Sequence, residues 1–126
     1  MLRIFFFTII LLYTSSGHDA RASSFSNQLG TIEFPTSGSE KPQKHFIRGV
    51  AALHSFWYTE ALEAFRESTK ADPNFAMGYW GQAMAHNAPL WERQDTKPAK
   101  VALSKISNMS ELTQRERDYI QAVQLL

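Results

Sequence analysis

The chain of 126 residues contains no cysteine. That single absence removes disulfide scaffolds, thiolate metal sites and cysteine nucleophiles. It leaves an oxidising compartment open, because helices packed through apolar faces need no bridges. Apolar runs of membrane-spanning length are also missing. The one sustained run, Ile4–Tyr13, is broken only by Thr8 and falls far short of the ~20 residues a bilayer requires. Nor is there a surplus of charge. Thirteen basic residues less Arg3 and Arg21, and twelve acidic residues less Asp19, leave eleven of each beyond residue 22. Without a basic field to hold a phosphate backbone, nucleic acid is excluded as a partner. Catalytic signatures are lacking too: no H-E-x-x-H, no G-x-S-x-G turn, no phosphate loop around Gly78 and Gly81.

What is present begins with an address. Arg3 and the free amine form a positive end, the short apolar run follows, and Ala20-Arg21-Ala22 offers the small residues a signal peptidase needs. Ser15-Ser16-Gly17 is a second candidate cleavage site. Residues 1–22 are therefore expected to be a signal peptide. The product would be exported, periplasmic or secreted, with no stable membrane anchor after cleavage. Residues 23–39 read as a linker rich in Ser, Thr and Gly. Within it, Thr31-Ile32-Glu33-Phe34-Pro35 alternates polar and apolar and ends in proline. That pattern predicts an extended segment with Ile32 and Phe34 pointing the same way, in need of something to pack on.

The rest is organised around Phe46–His86. Gly49 is followed by Ala61 twelve residues on, Phe65 four later and Pro73 eight after that, while Ala83 lies thirty-four residues after Gly49. Two helices approach closely only where side chains are small, so Gly49 and Ala61 are expected at the contact, with Phe65 filling the space one turn along. Pro73 ends the second helix, and Asn74 is expected to cap the third. With Tyr79-Trp80-Gly81 near the start of a second period, this block resembles the tetratricopeptide repeat family. The stretch from FPTSG to NAPLW is similar to a branch of secreted or periplasmic bacterial repeat proteins of unestablished role. The resemblance covers Leu29–Val123. It implies an all-α fold of antiparallel helix pairs stacked as a solenoid, acting in protein or peptide binding and not as an enzyme, with no cofactor.

Helices are predicted at about 40–55, capped by Ser39 with Pro42 in the opening turn; at about 59–71, capped by Thr59; and at about 75–88, stopping before Pro89. Repeat one is thus about 40–73 and repeat two about 74–107. The second is irregular: Asp95 and Ala99 stand where a small and a large apolar residue belong. A shift of four residues gives those roles to Ala99 and Leu103, with Val101 and Ile106 adding to the buried face. Pro89–Thr96 then reads as a lengthened loop carrying Leu90 and Trp91, before a helix at about 97–107. Thr113 and Glu116 form a capping box ahead of a last helix from about 114, with Tyr119, Ile120, Val123 and Leu126 on its apolar side. The pattern stops without a capping glycine or polar helix, so the chain is expected to be the N-terminal part of a longer array.

The inward-facing positions implied by the resemblance are Phe46, Val50, Leu53 and His54 on the first helix, and Met77, Trp80, Met84 and Asn87 on the third. They predict an apolar, aromatic concave groove with adaptable methionines. Many relatives grip a terminal carboxylate there with Lys and Asn; Phe46 and Val50 occupy those places, so that clamp is absent. A histidine common in relatives is replaced by Ala88. Two other readings stay open. His54 and His86, with Glu92 or Asp95, would make a two-histidine, one-carboxylate metal set for an enzyme. Alternatively the aromatic stripe is core, covered by Ile32 and Phe34 or by sequence further along the array, or the domain is purely structural and packs against the rest of its chain.

Overall fold

The computed structural model describes residues 29–125. The expected signal peptide and residues 23–28 of the expected linker lie outside the described residues, as does Leu126. Among the described residues five α-helices carry the fold: α1 Glu40–His54, α2 Tyr58–Ala71, α3 Ala76–Ala85, α4 Thr96–Leu103 and α5 Gln114–Gln124. Among the described residues the sheet content is one two-residue ladder, β1 Asn87–Ala88 against β2 Arg93–Gln94.

Helix α1 opens with Pro42 in its first turn, where an amide hydrogen has no helical partner to lose. Ser39 precedes it but makes no side-chain cap; its carbonyl takes the Gln43 amide at 3.2 Å instead. The helix closes through a three-residue corner. The amides of Ser55, Phe56 and Trp57 donate back to the carbonyls of Ala51, Ala52 and Leu53. Phe56 takes φ 61°, a left-handed setting normally given to glycine at helix ends. Trp57, not Thr59, holds the capping position of α2, and Thr59 lies inside the helix. At its far end the Asn74 amide donates to Asp72 Oδ1 at 2.9 Å and the Tyr79 hydroxyl to the Pro73 carbonyl at 3.0 Å. Asp72 thus shapes the turn, whereas the expected cap Asn74 does not cap α3; Phe75 precedes that helix.

The core is centred on Phe65, fully buried with Ala61, Phe46 and Met77. A Cβ on Gly49 of α1 would come within 2.6 Å of the Phe65 ring, and one on Gly81 of α3 within 2.3 Å. One ring therefore lies between two glycines on different helices. The expected contact of Gly49 is thereby extended: its neighbour is the Phe65 ring, and Gly81 is the second small residue of the same site. Ala83 is buried, while Pro73 is exposed at the turn.

Helix α3 ends at Ala85, three residues earlier than expected, because the chain turns into the β1–β2 hairpin through the 3-10 turn Pro89–Trp91, with Glu92 at φ 50°. The stretch expected to be loop is thus hydrogen-bonded. Helix α4 is also shorter than expected, and Val101 is exposed, not buried; Ala102 and Leu103 go inward. The period explains it: 99, 102, 103 and 106 share a face of a 3.6-residue helix, whereas 101 points nearly opposite 99. A second 3-10 turn, Met109–Glu111, leads to α5, whose Thr113–Glu116 capping box is formed from both sides.

Residues 31–39 run as a strap across this framework. Positions 32, 34, 36 and 38 are partly buried and 31, 33, 35, 37 and 39 exposed, the period-two alternation of extended chain.

Candidate functional site

The expected concave groove is not an open surface. Phe46, Val50 and Met77 are essentially inaccessible and Trp80 is buried. Leu53, Met84 and Asn87 are partly buried, and His54 is exposed. The reason is the strap. Phe34 meets Phe46 edge-on at 5.2 Å between centroids, Trp80 at 6.0 Å and Tyr119 of α5 at 5.4 Å. Tyr119 in turn lies edge-on to Trp80 at 5.5 Å. The Arg115 guanidinium sits over the outer side of Phe34, 4.3 Å from its centroid. Ile32 packs against the same cluster. Aromatic side chains that looked available in sequence are used up by neighbours of the same chain.

Polar groups lock the strap in place. Gln43 Nε2 donates to the Phe34 carbonyl at 2.7 Å, and the Thr36 hydroxyl bonds Gln43 Oε1. Glu116, 1% exposed, is the far anchor. Its Oε1 accepts from the Ser37 amide at 2.9 Å and the Ser37 hydroxyl at 3.0 Å. Its Oε2 accepts from the Thr113 amide and hydroxyl, both at 2.8 Å. Burial alone would raise its pKa, but the bonds from Ser37 and Thr113 outweigh that and hold the carboxyl below its ordinary value. Glu116 was visible in sequence only as half of a capping box; nothing local marked its second role toward Ser37.

The opposite end of the helix pair is different. A cleft of about 980 Å³ opens between the α1–α2 corner, the end of α3 and the hairpin. Phe56, Trp57 and Tyr58 line one side, and Trp91 the other. Phe56 is 53% exposed and Trp91 61%, with Leu90 exposed beside it. The corner and the hairpin position these rings: left-handed Phe56 ends α1 abruptly, and left-handed Glu92 closes the turn that carries Trp91. Glu60, Glu92, Arg93 and Asp95 supply the polar lining. His86 also lines the cleft, and its carbonyl accepts the Asp95 amide at 3.0 Å. The imidazole titrates below the ordinary histidine value: partial burial disfavours its charged form, Asp95 opposes that, and Arg66 adds to it.

The alternative metal set is not assembled among the described residues. His86 lines the cleft with Glu92 and Asp95, but His54 does not join them. Among the described residues no three His, Cys, Asp or Glu side chains are close enough to share a metal ion. Among the same residues no helix is long and apolar enough to cross a membrane.

Of the residues that line the cleft, the sequence marks Trp91 as a loop residue and His86, Glu92 and Asp95 as candidate metal ligands, but not Phe56. The available signal was a phenylalanine placed where a helix-terminating corner wants glycine. In comparisons with known proteins, no family model, no curated protein and no solved structure matches the chain.

Proposed function

We propose that the protein is an exported helix-pair scaffold of the tetratricopeptide type that binds a protein or peptide, and that it does so at the Phe56–Trp91 cleft. The observation that carries this reading is the contrast in exposure between Phe56 and Trp91 on one hand and the occupied stripe of Phe46, Val50, Met77 and Trp80 on the other. Large exposed aromatics at a concave site are the usual energetic anchors of interfaces. In this reading the side chains hold a shape and present it.

The test is selection of binders from a random peptide library displayed on phage, with the protein and its Trp91→Ala variant as parallel baits. Peptides that bind the parent and lose at least ~10-fold in affinity for the variant are expected, in keeping with the loss of one aromatic anchor. Recovery of the same peptides with equal affinity on both baits, or of none, would overturn the placement of the site.

A further inference from the structure

We infer that the cleft receives an arginine-bearing, positively charged segment of its protein partner. This rests on the reading of the cleft as a peptide site and adds the chemistry of the occupant.

The first ground is charge. Glu60, Glu92 and Asp95 face the cleft against one cation, Arg93. Among the described residues the one ion pair joins Glu67 and Lys70, at 3.8 Å. None of the three cleft carboxylates is therefore neutralised within the described structure, and none accepts a side-chain hydrogen bond from Arg93. An anionic partner would meet net repulsion. An uncharged apolar partner would strip water from three carboxylates and return nothing. A cation returns a charge-assisted bond for that loss.

The second ground is the rings. Elsewhere in the molecule aromatic faces already hold cations: Arg115 over Phe34 and Tyr119, Lys105 over Tyr79. Phe56, Tyr58 and Trp91 hold none among the described residues, although they line the cleft beside the carboxylates. An exposed ring face next to an unpaired carboxylate suits a guanidinium, which stacks flat on the ring while its edge hydrogen-bonds the acid. An ammonium has no such plane. The volume, about 980 Å³, holds several residues of peptide and not merely one ion.

The third ground is what the site is not. Carboxylates alone would describe a solvated face. Here they border a concavity lined by aromatic rings, and the hairpin that carries Glu92, with Asp95 directly after it, also carries Trp91.

Fluorescence anisotropy tests the inference with two labelled peptides of identical length, glycine-serine segments bearing three arginines or three citrullines. Citrulline keeps the planar shape and removes the charge. The arginine peptide should bind the protein at least ~10-fold more tightly, and Glu92→Gln/Asp95→Asn should reduce that preference to within about twofold. Trp91→Ala should weaken the arginine peptide by about tenfold. All of these side chains are exposed, so circular dichroism and melting should match the parent. Equal binding of the two peptides, or an arginine preference untouched by the carboxylate changes, would overturn the inference. The two levels separate cleanly. Library peptides that need Trp91 but carry no excess of arginine would leave the cleft as a peptide site and remove its cation preference. No Trp91-dependent peptide of any kind would remove both.

Discussion

The two aromatic clusters of this molecule contain the same kinds of side chain and differ in how far their neighbours have satisfied them. On the strap side, Phe34, Phe46, Trp80 and Tyr119 form one chain of ring contacts, Arg115 lies over Phe34, and the buried carboxylate, Glu116, accepts four bonds. On the cleft side, Phe56 and Trp91 stand more than half exposed, and the carboxylates beside them lack ion pairs among the described residues. Residue type alone does not separate an interior from a docking surface. What separates them is whether the same chain brings a ring to each ring and a donor to each acid.

That contrast is broken most severely at the shared core beneath it. Gly81→Leu forces a branched side chain against the Phe65 ring, which Gly49 already confines from the other side. The expected cost is about 3 kcal/mol or more, read as loss of the cooperative transition or a large drop in the urea midpoint. A melt matching the parent would show that Phe65 is not held between the two glycines.

Phe34→Ala removes the ring that closes the strap side. The loss of its contacts with Phe46, Trp80 and Tyr119 should cost about 2–3 kcal/mol. In a background with Trp57 and Trp91 changed to Phe, emission from Trp80 should shift to the red and become quenchable by iodide. Unchanged emission would mean that Phe34 does not shield the indole.

Glu116→Gln keeps the shape and turns two acceptors into one, leaving donors of Ser37 or Thr113 unmatched. A cost of about 1–2 kcal/mol is expected. The folded carboxyl has a lowered pKa, so the sign follows directly. Its contribution is fully present above the unfolded-state value, near the ordinary glutamate range, and is lost as pH falls through the lower folded value. Acid titration of the parent should therefore show a loss of stability that the Gln variant lacks. Parallel pH profiles would detach the lock from Glu116 ionisation.

The mildest change sharpens the comparison from the other side. Trp91→Ala should move stability by no more than about 0.5 kcal/mol, because most of that ring faces solvent. A loss comparable with that of Phe34→Ala would place Trp91 in the packed interior and make the two clusters alike.

How much of this was readable beforehand follows from the range of each interaction. Helix spans came from the 3.6-residue spacing, and the Thr113–Glu116 box from a four-residue pattern. The Ile32–Phe34 alternation foretold the strap, and the alternative that those residues cover the aromatic stripe is what the buried Phe46 and Trp80 display. The β1–β2 ladder was illegible because two residues carry no period. The Ser37–Glu116 bond was illegible because its partners are 79 residues apart and neither is unusual in its own neighbourhood. Val101 was misplaced by counting apolar residues without tracking the angle between them. The concave groove failed for a related reason: sequence shows which residues a helix presents, but not which other segment reaches them first.

That span of 79 residues also has a kinetic meaning. The α1–α2 pair assembles from neighbours in sequence, through a corner of three residues. Bringing Ser37 to Glu116 joins points near the two ends of the described chain, a contact of the longest kind in this molecule's sequence. Contacts of such long separation are expected late on the route to the native state. The strap is thus a finishing latch. Weakening it should leave the folding rate nearly untouched and speed unfolding, so that how long the molecule persists, rather than how fast it forms, is set by a few bonds around Ser37.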